Sequence, residues 1–369
     1  MRLLVFCLAV LPAFASAMTI AQAKAQPIGT LVTIDNVRLV SDVDLVNSST
    51  YRDCTVDDAT GGMTIFGTNA EVDAVLSGVT VGDRFTITGR TDYFNGKFSL
   101  LTPYTRSGFQ NLNLAVHPIP VRVADMQDGS WLAEALESRL VRLGPATFVS
   151  PVNFIGLTNY EVTDGSQVAT CRIATVFLEM VNDPMPTGPV YLYGILNQFD
   201  QVNPFDGGYQ LLPRYRRDIR RIASLNSVIV DNGELFDGDL NSVLSDDGST
   251  LTLFNDPTTL QASVVFAAFI GADLPVGMSM IGKTSVQRPG IAEQHQFKNW
   301  SGNQWVTAGG RVATLNDEFW ECPRVTGAQW RRNDGRIEGR ILWQPINDED
   351  PSQDGWLHSV DQMHLLYDL

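Results

Sequence analysis

Residues 30 to 40 alternate, with Leu31, Thr33 and Asp35 on one side and Val32 and Ile34 on the other. Residues 84 to 90 likewise set Phe85 and Ile87 against Arg84, Thr86 and Thr88. A period of two is that of a half-buried strand. Turn residues punctuate such runs at Gly61-Gly62, Val81-Gly82-Asp83 and Asn95-Gly96, the last joining two strand-like stretches as a hairpin does. Between them Val72, Val75 and Leu76 fall on one face of a short helix for which Asn69 is the expected cap. The order is three strands, a short helix and two strands, the layout of a small Greek-key barrel, which leaves no sheet edge exposed.

The same order recurs. Residues 29 to 41 line up with residues 138 to 150 at a constant offset of 109, so that Gly29-Thr-Leu-Val-Thr-Ile answers Ser138-Arg-Leu-Val-Arg-Leu. Val56-Asp57-Asp58 answers Val162-Thr163-Asp164, Phe85 to Gly89 answers Val190 to Gly194, and Asn95-Gly96-Lys97 answers Gly207-Gly208-Tyr209. Two related domains in tandem are expected, at 27–125 and 126–221. After the basic run Arg214 to Arg221, short strand-like runs at 250–254, 263–269, 304–306, 336–343 and 363–367 alternate with Gly, Asn and Asp clusters, and predict a two-sheet sandwich over 222–369. The expected fold is all-β: two tandem OB-like Greek-key barrels and a C-terminal β-sandwich.

Gly29-Thr-Leu-Val-Thr-Ile, Asp57-Asp58-Ala-Thr-Gly-Gly-Met, Val81-Gly82-Asp83 through Gly89, and Phe94-Asn-Gly96 resemble the OB-fold modules of exported bacterial proteins, which often stand beside extracellular nucleases and phosphoesterases. The second copy is similar but lacks the Gly-Gly after its aspartate. The resemblance covers about half the chain and implies accessory modules, with no catalytic residues carried over. Leu240 to Leu253 and Gly335 to Trp343 look like the C-terminal sandwich of exported bacterial proteins, a resemblance that names no activity.

Residues 1 to 17 read as a secretory signal peptide: Met-Arg, the apolar run Leu3 to Phe14, then Ala15-Ser16-Ala17. A second small-residue site, Ala23-Lys24-Ala25, allows a cut as late as residue 25. A soluble, secreted or periplasmic protein is expected. Removing the peptide leaves Cys54, Cys171 and Cys322 without a CxxC pair; the expectation is three buried, inert thiols, at most two of which can pair. With 26 cations, only four of them lysines, against 41 acids, the net charge of -15 argues against binding polyanions through the overall field.

Catalytic motifs are missing. The chain has no GxSxG, HExxH or GxxxxGK[ST], and its histidines at 117, 295, 358 and 364 are scattered. The expectation is a non-enzymatic binding or adhesion protein without a cofactor, its partner an extracellular glycan, nucleic acid or protein. A hydrolase assembled from scattered acids, with or without a metal, is the rival. Calcium is weighed only at Asp348, Asp350 and Asp354, where acids alternate but the glycine falls late for an EF-hand loop. For nucleic acid, Tyr51, Arg52, Tyr93 and Phe94 in the first copy, and Phe199, Tyr209, Arg214 and Arg216 in the second, supply rings and cations of the kind an OB barrel uses. For glycans, six of the seven tryptophans lie between residues 300 and 356, and Trp300 and Trp305 flank a Gly-Asn turn that can leave a ring open to a pyranose.

Overall fold

The computed structural model describes residues 17–42, 45–175, 178–271, 277–346 and 356–369. The protein is all-β in its main elements and divides into two compact units, one running to Thr187 and continuing at Leu192–Tyr215, the other made of Gly188–Tyr191 and Arg216–Leu369.

The first unit opens with helix α1 (Ile20–Lys24) and continues through β1 (Leu31–Leu39), β2 (Val46–Asn47), β3 (Tyr51–Asp57), β4 (Gly62–Thr68), helix α2 (Asn69–Leu76), β5 (Arg84–Phe94) and β6 (Lys97–Gln110). The strands follow the order β1-β5-β6-β4-β3-β2, and β1 also pairs with β3, so five of them close a circuit. Inward Val32, Ile34, Val56, Ile65, Phe85 and Ile87 fill it. The β5–β6 turn is the hairpin expected at Asn95-Gly96: both residues have positive φ, as a two-residue primed turn requires, with Phe94 facing Lys97. The cap of α2 differs from expectation by one residue. Thr68 caps and forms a capping box with Glu71, whereas the Asn69 amide donates to the carbonyls of Ser48 and Ser49.

Then come β7 (Ile119–Val121), helix α3 (Trp131–Leu136), β8 (Leu140–Phe148), β9 (Thr158–Thr163), β10 (Val168–Ile173), β11 (Val190–Gln198) and β12 (Tyr209–Leu212). Strands β8, β11, β12, β10 and β9 form a second circuit in the order of the first, closed by β8–β11 and β8–β9. The registers agree as well. Leu39 faces Val56 where Phe148 faces Val162, and each circuit contains one parallel pair, β4–β6 with Ile65 opposite Leu100 and β10–β12 with Cys171 opposite Leu211.

Two features of this unit lie outside the sequence pattern. Ile20 and Ala23 of α1 are fully buried in the first circuit's core, and the Ile20 amide donates to Asp58 Oδ2 at 2.8 Å. The circuits also touch: a methyl group on Gly62 would collide with the Ser138 carbonyl, and buried Glu137 Oε1 accepts from the Phe98 amide at 3.1 Å.

In the second unit β13 (Ile219–Ala223), β14 (Leu225–Asn232), β15 (Glu234–Asp237), β16 (Leu251–Phe254), β17 (Ala262–Phe269), β18 (Gly277–Val286), β19 (Ile291–Asn299), β20 (Gln304–Val312), β21 (Glu318–Glu321), β22 (Val325–Thr326), β23 (Arg336–Pro345) and β24 (Leu357–Asp368) form two groups. One is an antiparallel five-stranded sheet, β14-β17-β23-β19-β20. The other centres on β24, which pairs with β18 along one side and with β16 and β13 along the other. One hydrophobic core, including Val264, Phe266, Ile337, Ile341, Met280 and Leu365, joins them. At Gly339 the sheets come so close that a Cβ would press on Met280 and Leu365.

Candidate functional site

The outward face of the five-stranded sheet carries a connected set of polar side chains. Alternation sends Glu293, His295 and Phe297 of β19 into the core and Gln294, Gln296 and Lys298 to the opposite face, where Gln296 is itself buried among its neighbours. Cross-strand pairing brings Thr307 and Trp305 beside Gln296 and Lys298 from one side and Arg340 beside Gln296 from the other. These side chains are already bonded to one another. Arg340 Nε donates to Gln296 Oε1 at 2.7 Å and its terminal nitrogen to Asp231 at 2.9 Å. Gln296 Nε2 donates to Gln294 Oε1 at 3.0 Å and to Thr307 Oγ1 at 3.1 Å. The Trp305 ring lies 4.6 Å from the Arg340 guanidinium carbon and 5.4 Å from Lys298 Nζ. Val265 and Ala267 of β17 point the same way yet are buried, because their register partners Arg340 and Glu338 stand over them. The acids on this face are spoken for, Asp231 by Arg340 and Glu338 by Arg336.

Of the six clustered tryptophans, Trp320, Trp330, Trp343 and Trp356 are core. Trp300 and Trp305 remain half-buried, neither fully open as the turn between them suggested. The Arg332 guanidinium lies 5.2 Å from the Trp300 ring, and the Trp300 indole nitrogen is buried without a partner.

In the first unit Tyr51, Phe66 and Phe94 form a ladder of rings, with centroids 5.6 Å and 3.6 Å apart. Phe66 was not singled out in the sequence; as the register partner of Asp53 on β4 it reads as one more apolar strand residue. Tyr93 packs instead against Phe98 and Phe205. Arg52 is held by Asp73 at 2.5 Å, and Arg214 donates to the Val40 carbonyl. Phe199 is exposed. Tyr209 offers no stacking face: it is buried, as is every residue of β12, and its hydroxyl donates to Glu134 at 2.7 Å. Arg216 begins a short 3-10 turn at the start of the second unit's Arg216–Leu369 stretch. Asp348, Asp350 and Asp354 lie outside the described residues. Among the described residues no group of three His, Cys, Asp or Glu is placed to hold a metal, and no helix is long and apolar enough to cross a membrane.

Sequence reasoning missed a buried polar cluster. Glu293, fully buried, accepts from His295 Nε2 at 2.8 Å, Arg311 Nε at 3.0 Å, Thr284 Oγ1 at 2.7 Å and Trp343 Nε1 at 2.8 Å. His295 stacks on Trp320 at 3.6 Å. His358 lies between Trp343 and Trp356, and neither ring nitrogen is bonded among the described residues. Burial pushes His358 down to about 3 and His364 to about 4, so both are neutral in the folded protein. The three cysteines are buried and free, and burial pushes Cys171 and Cys322 up to about 12. Such thiols are not nucleophiles.

No family pattern and no curated protein matches the chain. Solved structures similar to part of it include a family 61 carbohydrate-binding module in complex with beta-1,4-galactotriose, at 14% identity, with 40% of this chain and 88% of that one covered and a TM-score of 0.23. A family 29 module from Piromyces equi matches at 8% identity over 40% of this chain and 89% of its own, with a TM-score of 0.24. The N-terminal cellulose-binding domain of a Cellulomonas fimi beta-1,4-glucanase matches at 13% identity over 39% and 90%, with a TM-score of 0.25. Likenesses at this level decide neither fold nor ligand.

Proposed function

We propose that the protein is an exported, non-enzymatic glycan-binding protein. Its second unit is a β-sandwich that holds a neutral polysaccharide on the outward face of the five-stranded sheet, and its first unit is a duplicated pair of OB-type barrels. One observation carries the reading: the bonded set of Arg340, Gln296, Gln294 and Thr307 beside Trp305. Amides and hydroxyls donate and accept in equal measure, which suits the hydroxyls of a sugar, and an indole offers a flat surface to the C–H face of a pyranose. Because neighbours already fix these groups, little side-chain freedom is lost on binding. Among the described residues, the two acids on this face, Asp231 and Glu338, are paired to arginines rather than free for acid and base work.

Affinity electrophoresis against soluble neutral polysaccharides, with tryptophan fluorescence as a second readout, tests this function. The expected result is retardation by at least one polysaccharide, abolished in Trp305→Ala and weakened in Gln294→Ala, with unchanged unfolding midpoints. Mobility unaffected by every polysaccharide, or retardation that survives Trp305→Ala, overturns it.

A further inference from the structure

We infer that the first unit carries a separate pocket, one that accepts a single carboxylated sugar ring, a hexuronate. The pocket has a volume of about 160 Å³ and opens where the two closed circuits meet. It is built from matching positions in the two circuits. Phe66 follows Ile65, which faces Leu100 in the first parallel pair; Arg172 follows Cys171, which faces Leu211 in the second. Phe94 and Phe199 match in the same way, each following the residue that faces Phe98 or Tyr209. The same face of each circuit therefore contributes, with a ring in one and a cation in the other at the Phe66/Arg172 position.

Three features specify the occupant. Charge comes first. Lys97 and Asp53, both buried in the wall, pair with each other. Arg172 gives one N–H to Asn159 Oδ1 at 2.6 Å and meets no carboxylate among the described residues. The three charges sum to +1 in a chain of net charge -15. A planar guanidinium without a counter-ion calls for a carboxylate. The second feature is Gln198, 1% exposed: its Nε2 donates to the Phe205 carbonyl at 2.6 Å, while its Oε1 is buried without a donor. That oxygen is closed off from solvent, so a ligand hydroxyl supplies the missing donor once the amide turns toward the cavity it lines. Third, the Phe94 and Phe199 rings offer apolar surface to a sugar's C–H face. The cavity is below the usual volume of a drug-sized site and suits one ring.

The test uses the full chain with D-glucuronate and D-galacturonate against D-glucose and D-galactose, read by saturation-transfer NMR and calorimetry. The expected result is binding of at least one uronate at least tenfold tighter than its neutral counterpart, weakened by added salt and by tenfold or more in Arg172→Gln. Phe199→Ala, at an exposed position, provides a second variant that leaves the core alone and is expected to weaken binding similarly. Binding of both uronates no tighter than the neutral sugars, affinity unchanged in Arg172→Gln, or no binding of either uronate overturns the inference. Trp305→Ala is expected to retain uronate binding, and Arg172→Gln to retain polysaccharide retardation, so the two sites succeed or fail separately.

Discussion

Replacing Glu293 by glutamine probes the interior of the second unit. The carboxylate is fully buried and accepts four hydrogen bonds, from His295, Arg311, Thr284 and Trp343. The amide keeps the shape but leaves Arg311 with only the exposed Glu318 carboxylate as its ion-pair partner, and it turns an NH2 group toward donors. Removing one partner of a buried pair costs about 3–5 kcal/mol when the other is left uncompensated, and because Glu318 still faces Arg311 the expected loss is at the low end, about 3 kcal/mol. That is a large part of the ~5–15 kcal/mol that holds a domain together. Urea unfolding followed by tryptophan fluorescence reads this unit, since six of the seven tryptophans lie between residues 300 and 356. Acidification provides a control. Burial raises the Glu293 carboxyl, but the His295 bond, the Arg311 charge and the Thr284 bond outweigh it, and the net shift is downward from 4.5. A folded value below the unfolded one means that the stabilisation is complete above pH ~4.5 and is lost as pH falls through the folded value. The penalty of Glu293→Gln is therefore expected to be greatest at neutral pH and to shrink in acid. A loss below about 1 kcal/mol at pH 7, or a penalty that grows on acidification, refutes the reasoning.

The buried histidines predict acid lability: with His358 at about 3 and His364 at about 4 when folded, against 6.5 unfolded, each costs about 1.4 kcal/mol per pH unit as pH falls from 6.5 toward 4. Urea midpoints measured from pH 7 to 4.5 should drop steeply, and less so in His358→Phe; a flat profile contradicts this. At the other end of the chain, Ile20→Ala is expected to cost about 2–4 kcal/mol, since Ile20 is fully buried in the first circuit. For the same reason the mature N-terminus of exported protein is expected at residue 18, and a mass that begins at Gln26 would contradict it.

Strand periodicity was legible where one face meets the core and the other meets water. Alternation through Arg84–Asp92 appears directly in the burial of β5, and in β1 it holds on either side of a bulge at Asp35-Asn36 that shifts its phase; the offset of 109 between Leu31 and Leu140 is the offset between β1 and β8. Polar residues on inward positions were not legible. Glu293 and His295 lie between Ile291 and Phe297 on the core side of β19, where their partners come from Thr284, Arg311 and Trp343, far away in sequence. Helix α1 was hidden because Ile20 and Ala23 sit within a stretch that also reads as a cleavage region. The candidate sites were half visible. The aromatic residues at 94, 199 and 305 could be picked out along the chain, but Gln294, Gln296, Arg340, Arg172 and Gln198 become site residues only through cross-strand register, which local sequence does not encode.

The placement of β24 has a consequence for biogenesis. Arg220 faces Asp368, Leu253 faces His358 and Met278 faces Tyr367, so strands made early wait for one made late before their backbone groups are paired. The second unit cannot close on the ribosome until residue 368 has emerged. Until then the backbone groups of β13, β16 and β18 that β24 is to pair stay open to water, while the first unit, which uses no part of β24, has all its strands in hand.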